Sequence, residues 1–494
     1  MAGAKLHSWG VAIAVGASVG LVAPTAFGQL EELDDGVVVG EWTFRPSIDV
    51  RVRGEYRYIP PTTGGDVYAT TAVLAHDQTT NAPPRTLRLA PVSDQWLLAE
   101  RTRLGLAVQW EELTGVVVLE DARGLGIVPG APTGLDDGGF GTIAPFEAYL
   151  AVTVPPPMDE EDWSFELRLG RQQIVWGDGR LLGASDWAHR GHSLDAGRIA
   201  MRFGDVELDS MAALLSVPGA LPPEVTDDLP EPVEGGGFGT GAQLYGLDAT
   251  WRAIPLLNVE LMGLARIVRE PASAGLTPGD TYVVDGRIFG EHRGVRYSAQ
   301  GAYELGRVAS IGVVRDLSAF AVAADASWLT SLPGDFEFGI EGAYASGQDA
   351  AAAADSTFGR FDPIFPEVHD HYGMMDLAAW SNLIEASGSV AASPFEEGRL
   401  QLGFSFLGLA EPTGQWTTGG RIPVGADPTN ASHVLGYEAD LRFVVTPWDP
   451  LSFDAGYGLF VPGAGGQNIL TAAGRGEPDL MHFGYLQARL RAPR

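Results

Sequence analysis

The chain has 494 residues with 63 acidic and 32 basic side chains, a formal net charge of −31 and no cysteine. The acidic balance argues against a nucleic-acid partner, because phosphate binding requires a basic face. The absence of thiols excludes disulfides and thiolate metal sites. Lys5 is the single lysine, so all later basic side chains are arginines, whose planar fork suits carboxylate and phosphate groups. The alternative is that the arginines reflect the base composition of the genome.

The first 28 residues have the pattern of a processing segment. Lys5 gives a positive end, an apolar run follows at 11–22, and Ala26-Phe27-Gly28 gives a small-residue cleavage pattern before Gln29. Because the run is too short and too rich in glycine for a membrane helix, we predict a secretory signal peptide. No later apolar run approaches the roughly 18 residues that a spanning helix needs. We expect residues 29–494 to form one exported domain.

Strict alternation of apolar and charged residues begins at 48–58, which reads IDVRVRGEYRY. A period of two gives a strand one apolar face and one charged face. The pattern recurs to the end of the chain in segments that often exceed the globular mode of about 5–6 residues and match a tilted membrane strand. About 18 such segments lie near 43–58, 95–110, 114–123, 145–154, 163–173, 195–203, 206–216, 241–253, 257–268, 281–290, 292–305, 317–330, 334–346, 380–392, 397–410, 433–446, 449–462 and 479–491.

The joints between these segments are asymmetric. Tight joints such as 111–112 and 447–450 alternate with long polar loops at 59–94, 124–144, 218–240 and 347–379. Several tryptophans fall near strand ends, where a membrane girdle would lie: Trp42, Trp96, Trp110, Trp163, Trp251, Trp328 and Trp448.

Closing the strands on themselves would satisfy the backbone in lipid, and the sequence offers no convincing helix to cover an open sheet. We therefore predict an all-β fold, a transmembrane antiparallel β-barrel of about 18 strands with long extracellular loops. Its partners would be the lipid bilayer of the bacterial outer membrane and the barrel-assembly machinery.

Strand parity also predicts which charged side chains face the lumen. The inward arginines on the first six strands are Arg51, Arg53, Arg57, Arg101, Arg103, Arg168, Arg198 and Arg202. Acidic residues share those faces and dominate later strands, among them Asp49, Glu55, Glu166, Glu337, Glu341, Glu438 and Asp440. Arginines along a pore concentrate anions and pass them between weak sites. The alternative is that these charges form salt-bridged ladders that only stiffen the wall.

No motif marks an enzyme, a cofactor site or a metal site. The sequence has no Gly-x-Ser-x-Gly elbow, His-Glu-x-x-His helix or phosphate loop. His189-x-x-His192-x-x-Asp195 and His369-Asp370-His371 have ligand-type residues, but histidines beside aspartates in loops are usually only solvated. We expect no catalysis, cofactor or bound metal.

Short motifs recur along the chain in a fixed order. RTRLGL at 101–106 precedes LEDARGLG at 119–126, and LGRQ at 169–172 precedes GDGRLLG at 177–183, Asp186-Trp187 and Asp195. YASG at 344–347, GYEADL at 436–441 and GYGLFVPG at 456–463 follow. In this order they resemble the alginate-export family of outer-membrane porins.

The resemblance implies an 18-stranded barrel that carries an anionic polysaccharide, or another solute, through an arginine-lined constriction. Its motifs include Arg171, Asp186 and Asp195, which we add to the expected pore-lining residues. The position of 177–195 between two barrel strands makes it a candidate infolded or surface loop at a pore mouth, where Arg180 would meet the solute. The function expected first is export of a uronate polysaccharide such as alginate. A nutrient porin for small anionic or neutral solutes is the main alternative. A plugged barrel whose acidic loops bind cations or a partner remains open, and an outer-membrane hydrolase is a distant further option.

Overall fold

The computed structural model describes residues 36–59, 93–127, 143–154, 163–188, 191–216, 241–254, 256–268, 279–310, 313–353, 356–367, 369–421 and 423–492. The signal peptide predicted at 1–28 and most of the predicted loops 59–94, 124–144 and 218–240 lie outside the described residues.

The described residues form mostly strands. In chain order these are β1 (Val37–Val39), β2 (Trp42–Ile59), β3 (Ser93–Trp110), β4 (Leu113–Ile127), β5 (Ala144–Val154), β6 (Trp163–Gln172), β7 (Leu194–Phe203), β8 (Val206–Ser216), β9 (Ala242–Ile254), β10 (Leu257–Val268), β11 (Gly279–His292), β12 (Val295–Ser310), β13 (Val313–Leu329), β14 (Glu337–Ala345), β15 (Leu383–Phe395), β16 (Gly398–Gly408), β17 (Trp416–Thr417), β18 (Pro423–Gly425), β19 (Val434–Trp448), β20 (Leu451–Pro462) and β21 (Met481–Ala492). A helix, α1 (Ala464–Ala472), lies between β20 and β21. No helix in this part of the chain is long and apolar enough to cross a membrane.

Eighteen of the strands close into an antiparallel barrel. Each strand from β2 to β16 pairs with the next, β16 pairs with β19, and β19, β20 and β21 follow in order. The barrel closes because β21 pairs with β2, from Ile48 opposite Ala492 to Tyr58 opposite His482. The predicted fold and all 18 predicted strand segments are confirmed. The sequence did not indicate α1 or the short strands β1, β17 and β18.

The two faces of the barrel meet different surroundings. On β3, Leu98 and Leu104 are 46% and 53% exposed on the outer face, whereas Arg101 on the inner face is 1% exposed. An apolar outer face suits contact with lipid, and the charged inner face can be solvated by water inside the barrel.

Tryptophans gather at the end of the barrel that carries the tight turns. Trp42 begins β2 and Trp110 ends β3, and their rings stack with centroids 5.8 Å apart. Trp251, Trp328 and Trp448 occupy the same end of β9, β13 and β19 and are 45%, 51% and 66% exposed. Amphipathic indole rings at one height suit the membrane–water interface.

Two connections at the opposite end fold into the barrel. We call the described residues 173–188 and 191–193, between β6 and β7, the first inner loop. The described residues 346–353, 356–367 and 369–382, between β14 and β15, form the second inner loop. They contribute large buried apolar side chains to one cluster inside the barrel: Trp176, Leu181, Leu182, Phe361, Ile364, Leu377 and Trp380. The part of the lumen that the structure describes therefore contains a packed apolar core as well as a charged wall.

Backbone hydrogen bonds join the two inner loops directly. The amide of Gly183 donates to the Phe365 carbonyl at 2.7 Å, and the Phe365 amide donates to the Leu181 carbonyl at 2.9 Å. The Glu367 amide donates to the Gly179 carbonyl at 2.8 Å. Only glycine fits at position 183, because a Cβ there would lie 2.6 Å from the Glu367 amide nitrogen. The two loops thus form one unit inside the barrel.

Candidate pore site

Four arginines from three neighbouring strands converge on the first inner loop. We call Arg51, Arg101, Arg103 and Arg489 the arginine cluster. They lie on β2, β3 and β21, and pairing sets Arg51 directly opposite both Arg101 and Arg489. Three of them, Arg51, Arg101 and Arg103, are buried.

Asp186 of the first inner loop is the common partner of the cluster. Its Oδ1 accepts from Arg103 Nη1 at 2.7 Å and lies 3.0 Å from Arg101 Nη1. Its Oδ2 accepts from Arg489 Nη2 at 3.1 Å. Burial raises the pKa of Asp186, but the charges of Arg101 and the other cluster arginines hold it well below 3.8. Asp186, which the sequence analysis includes among the pore-lining residues, therefore lies at the centre of the site.

The cluster holds more positive than negative charge. Its carboxylate partners in the described chain are Asp49, Glu120 and Asp186, so four guanidinium groups meet three carboxylates. Arg51 forms no ion pair there and donates to the carbonyls of Asp186 and Ala188 at 2.7 and 2.6 Å. A surplus guanidinium retains the capacity to bind a passing anion.

Arg103 has an unused donor. Its Nε donates to Glu120 at 2.9 Å, and its guanidinium lies 3.6 Å from the centre of the Phe146 ring. Its buried Nη2 has no hydrogen-bond partner among the described residues. A buried donor without a partner is costly, so this nitrogen is left with bonding capacity that the described wall does not use.

Trp187 extends the site along the wall. Its carbonyl accepts from Arg53 Nη1 at 2.8 Å, and the Arg53 guanidinium lies 4.0 Å from the centre of its ring. The ring also stacks on His369 of the second inner loop at 3.7 Å, with 4° between the planes. Arg53 and Arg57 both pair with Glu55 at 2.5 Å. Arg53 therefore joins this part of the wall to the first inner loop, whereas Arg57 pairs with Glu55 within β2.

Two other predicted arginines form local pairs on the wall. Arg168 donates to Glu166 at 2.8 Å, and Arg198 Nε donates to both carboxylate oxygens of Asp209 at 3.0 and 2.9 Å. Both arginines are buried inside the barrel. Their close pairing favours a wall-stiffening role over solute binding at these positions.

The structure contradicts the predicted pore-lining position of Arg171 and Asp195. Alternation on β6 places Arg171 on the outer face with Leu169, which is 55% exposed, and pairing sets it opposite Asp195. The two form an exposed salt bridge of 3.1 Å. Only the motif had indicated these residues, and strand parity argues against them.

The structure also differs from the positions predicted for Arg202 and Arg180. Arg202 is exposed because it lies at the end of β7, next to the turn at 204–205. Arg180 was expected at a pore mouth, but it is 2% exposed and donates to Asp178, Glu341 and Tyr372 at 2.7–2.8 Å. Burial lowers the pKa of Arg180, yet these partners raise it well above its ordinary value overall. Arg180 joins the first inner loop to the second inner loop and to β14.

Glu438 and Asp440 face inward on β19 and contact the second inner loop. Glu438 Oε1 accepts from the Met375 amide at 2.8 Å, and Asp440 Oδ2 accepts from the Met374 amide at 3.4 Å. Other buried carboxylates lie on the same side of the barrel: Asp248, Glu260, Asp285, Glu304, Glu337 and Glu385. The side of the barrel that begins at β9 is therefore acidic.

The histidine motifs do not assemble a metal site in the described chain. His369 pairs with Asp376 at 2.8 Å, and His371 Nε2 lies 3.1 Å from the Asp178 carbonyl. No group of three or more candidate ligands comes together among the residues that the structure describes. His189 lies outside them.

Sequence reasoning missed Arg489 and Glu120 as parts of the site. The alternation of β21 places Arg489 on the same face as Tyr485 and Gln487, so extending the parity argument to the last strand would have found it. Glu120 belongs to the motif LEDARGLG, and pairing sets it opposite Arg103.

Comparisons with known proteins agree with this architecture. A family model described as alginate export matches residues 271–474, which is less than half of the chain. No curated protein sequence matches the chain.

Solved structures from Pseudomonas aeruginosa share the barrel. OccK9 (OpdG) has a TM-score of 0.52 at 14% identity and covers 91% of this chain and 98% of its own. OccK2 (OpdF), crystallised with glucuronate, has a TM-score of 0.52 at 10% identity, covering 91% and 97%. OpdK with vanillate has a TM-score of 0.51 at 11% identity, covering 90% and 98%.

These findings confirm the resemblance to the alginate-export family over the matched residues and the fold over nearly the whole described barrel. The fold is that of transport porins, and together with the matched family it indicates a location in the bacterial outer membrane.

Proposed function

We propose that the protein is an outer-membrane channel for solutes that carry carboxylates, with an exported uronate polysaccharide of the alginate type as its cargo. The arginine cluster is the observation that carries this proposal. The cluster has one more guanidinium than it has carboxylate partners among the described residues. Arg51 donates to neutral carbonyls, and Nη2 of Arg103 has no hydrogen-bond partner among those residues. A uronate carboxylate can displace a neutral carbonyl from a guanidinium, because a charge-assisted pair is the stronger one.

Two comparisons support the uronate part of the proposal. The matched family is described as alginate export, and one relative of the same fold was crystallised with glucuronate. Each uronate unit carries one carboxylate, so a polymer would present charges in sequence to the cluster. Weak sites that exchange partners quickly suit conduction, whereas one tight site would trap the solute.

A second candidate is inward passage of small carboxylic acids. It is favoured by the inner loops, whose apolar core occupies part of the lumen between the walls. A narrowed lumen would admit a single small acid more readily than a polymer. The same arginine cluster would then attract monomeric carboxylates.

Interruptions of the channel current in planar bilayers distinguish the polysaccharide channel from the porin for small acids. Short oligouronates, free glucuronate and neutral oligosaccharides of matched length would be added to the purified protein. We expect oligouronates to interrupt the potassium chloride current with dwell times that grow with length, and neutral oligomers to have little effect. Block by glucuronate without block by oligouronates would favour the small-acid porin. No interruption by any carboxylate would contradict both.

A further inference from the structure

The acidic side of the barrel carries a group of arginines near the end where the inner loops enter. We call Arg266, Arg315, Arg360 and Arg421 the loop-end group. Arg266 lies close to the end of β10 and Arg315 close to the start of β13, while Arg360 belongs to the second inner loop and Arg421 to the connection between β16 and β19. Counting β2 as the first of the 18 barrel strands, β10 and β13 are the ninth and twelfth. The group therefore lies across the barrel from the arginine cluster.

Asp362 of the second inner loop is the carboxylate that the group shares. Its Oδ2 accepts from Arg421 Nη2 at 2.7 Å and lies 3.5 Å from Arg266 Nη2, and these two residues form the ion pairs of the group among the described residues. The Asp362 amide donates to Glu304 on β12 at 2.9 Å, which places a second carboxylate beside the group. Four guanidinium groups thus meet two carboxylates in the described chain.

Arg315 and Arg360 contact neutral groups. Arg315 donates to the carbonyl and the hydroxyl of Ser356 at 2.8 and 2.6 Å. The guanidinium groups of Arg315 and Arg360 lie 5.4 and 5.5 Å from the centre of the Phe358 ring. A guanidinium bound to neutral oxygens can exchange them for a carboxylate, because a charge-assisted hydrogen bond is the stronger one.

The group also has unused donors in a place that solvent reaches. Nη1 of Arg266 and Nε of Arg360 are buried and have no hydrogen-bond partner among the described residues. The side chains of Asp362 and Arg421 are 30% and 26% exposed, so the group is not sealed. Surplus positive charge, free donors and access to solvent are the requirements of an anion site.

The first inner loop extends from the arginine cluster to the loop-end group. Asp186 is the shared partner of the cluster, and His192 follows it in the same loop. Burial and the charge of Arg421 lower the pKa of His192 to about 4, so the ring is neutral at neutral pH. Its buried Nδ1 has no hydrogen-bond partner within the described chain. The loop therefore separates two arginine sites on opposite walls.

We propose that the loop-end group is a second anion site, which binds the carboxylate of a solute at the loop end of the lumen. The inference rests on the proposed function and deepens it, because passage then uses two sites on opposite walls instead of one. Two weak sites in series suit conduction, since the solute is handed on before it is held tightly.

The first test compares the two sides of the bilayer. Glucuronate is added on the loop side or on the turn side of the channel, and its association rate is taken from the frequency of current interruptions. Arg315→Gln/Arg360→Gln keeps both ion pairs to Asp362, so it should fold. We expect the association rate from the loop side to fall about threefold, because two charges near that mouth are lost, and the rate from the turn side to stay unchanged. Arg123→Gln, at an exposed arginine on β4, is the matched control and should change neither rate.

Sulfate gives a second readout that does not depend on transport. The amides of Phe358 and Asp362 donate to Asp316 and Glu304, so their hydrogen exchange reports on the structure around the group. Sulfate at about twice its dissociation constant should slow this exchange about threefold in the parent protein and leave it unchanged in the double variant. Chloride at equal ionic strength is the control.

The inference is overturned if the double variant keeps the parent association rate from the loop side, or if sulfate protects the two amides equally in parent and variant. Failure of the proposed function gives a different result, namely no interruption by glucuronate from either side in the parent protein. The sulfate experiment then decides alone: protection in the parent but not in the variant supports the site, and no protection in either overturns it.

Discussion

The lumen has two sides that handle charge in opposite ways. On β2, β3 and β4, five buried arginines face three buried carboxylates, whereas β9 to β16 together with β19 carry seven buried carboxylates and two buried arginines. The arginine side uses its surplus to hold carbonyl groups of the first inner loop. The acidic side places carboxylates close to one another and to amides of the second inner loop.

This difference suggests which side governs selectivity. An arginine stays charged at any accessible pH, whereas crowded carboxylates relieve their repulsion by taking up protons or cations. The arginine side therefore keeps a permanent field, and the acidic side has one that depends on conditions. We infer that the arginine cluster, rather than the net charge of −31, determines which ions pass.

Of the changes considered, Asp186→Ala should have the largest effect on the arginine side of the lumen. It removes the carboxylate that the cluster shares, so the first inner loop should loosen against the wall and single-channel conductance should rise by up to about twofold. The loop stays attached through its backbone carbonyls, which still accept from Arg51 and Arg53. Because 37% of the Asp186 side chain is exposed, we expect the loss of docking energy to be about 1–2 kcal/mol, below the value for a fully buried pair. Asp195→Ala, on the outer face, is the control. Parent-like conductance of Asp186→Ala would show that the loop is held by other contacts.

Arg51→Ala/Arg103→Ala tests the arginine side directly. Two of four cluster charges are lost, so the ratio of chloride to potassium permeability should fall about threefold, as expected when the local anion concentration drops. The measurement is the zero-current potential across a potassium chloride gradient. Arg202→Ala, at the exposed end of β7, should leave the ratio unchanged. An unchanged ratio in the double variant would favour the view that these arginines only stiffen the wall.

Glu385→Gln tests the acidic side and should have a smaller effect. This buried carboxylate forms no salt bridge among the described residues. Removing its charge should raise the anion preference by less than about twofold, because neighbouring carboxylates remain. Glu100→Gln, at an exposed position on β3, is the control. A larger effect than that of the arginine variant would reverse our ranking of the two sides.

Lowering the pH should have the smallest effect of the four changes, and this effect concerns the docking of the inner loops. Burial raises the pKa of Asp362, but Arg421, Arg266 and Arg360 lower it to about 2, and the pKa of Asp186 is also lowered. A lowered pKa stabilises the docked state fully above the unfolded value of 3.8, and the effect is lost as the pH falls through the folded value.

Hydrogen exchange at the Ala188 and His192 amides, corrected for intrinsic rates, measures this docking. Both amides donate to carbonyls within the first inner loop. Protection should stay constant from pH 7 to about pH 5 and decrease only below about pH 4. Loss of protection between pH 7 and pH 5 would mean that other groups hold the loop.

The barrel was predictable because its signal is local. Alternation between residues i and i+2 sets the face of every side chain on a strand, so Arg101 and Leu104 could be assigned to opposite faces without any tertiary information. The inner loops were not predictable in the same way. Arg180 bonds Glu341, 161 positions away, and its Gly/Asp/Arg surroundings read the same in a surface loop as in an infolded one.

The wrong predictions also differ between strand residues and loop residues. Arg171 and Asp195 came from a motif, although the parity of β6 and β7 places them outside. Asp186 came from the same motif and lies at the centre of the cluster, since loop residues have no parity to contradict the motif. Whether a loop enters a barrel depends on contacts with distant strands, which a single sequence does not reveal.

The zero-current potential of the parent protein tests the central claim most directly. A tenfold potassium chloride gradient is imposed across a bilayer that contains the purified channel at neutral pH. The arginine cluster predicts a potential with the sign of chloride selectivity, despite the strongly acidic chain. A potential with the sign of potassium selectivity would contradict the account, because the acidic side would then govern passage.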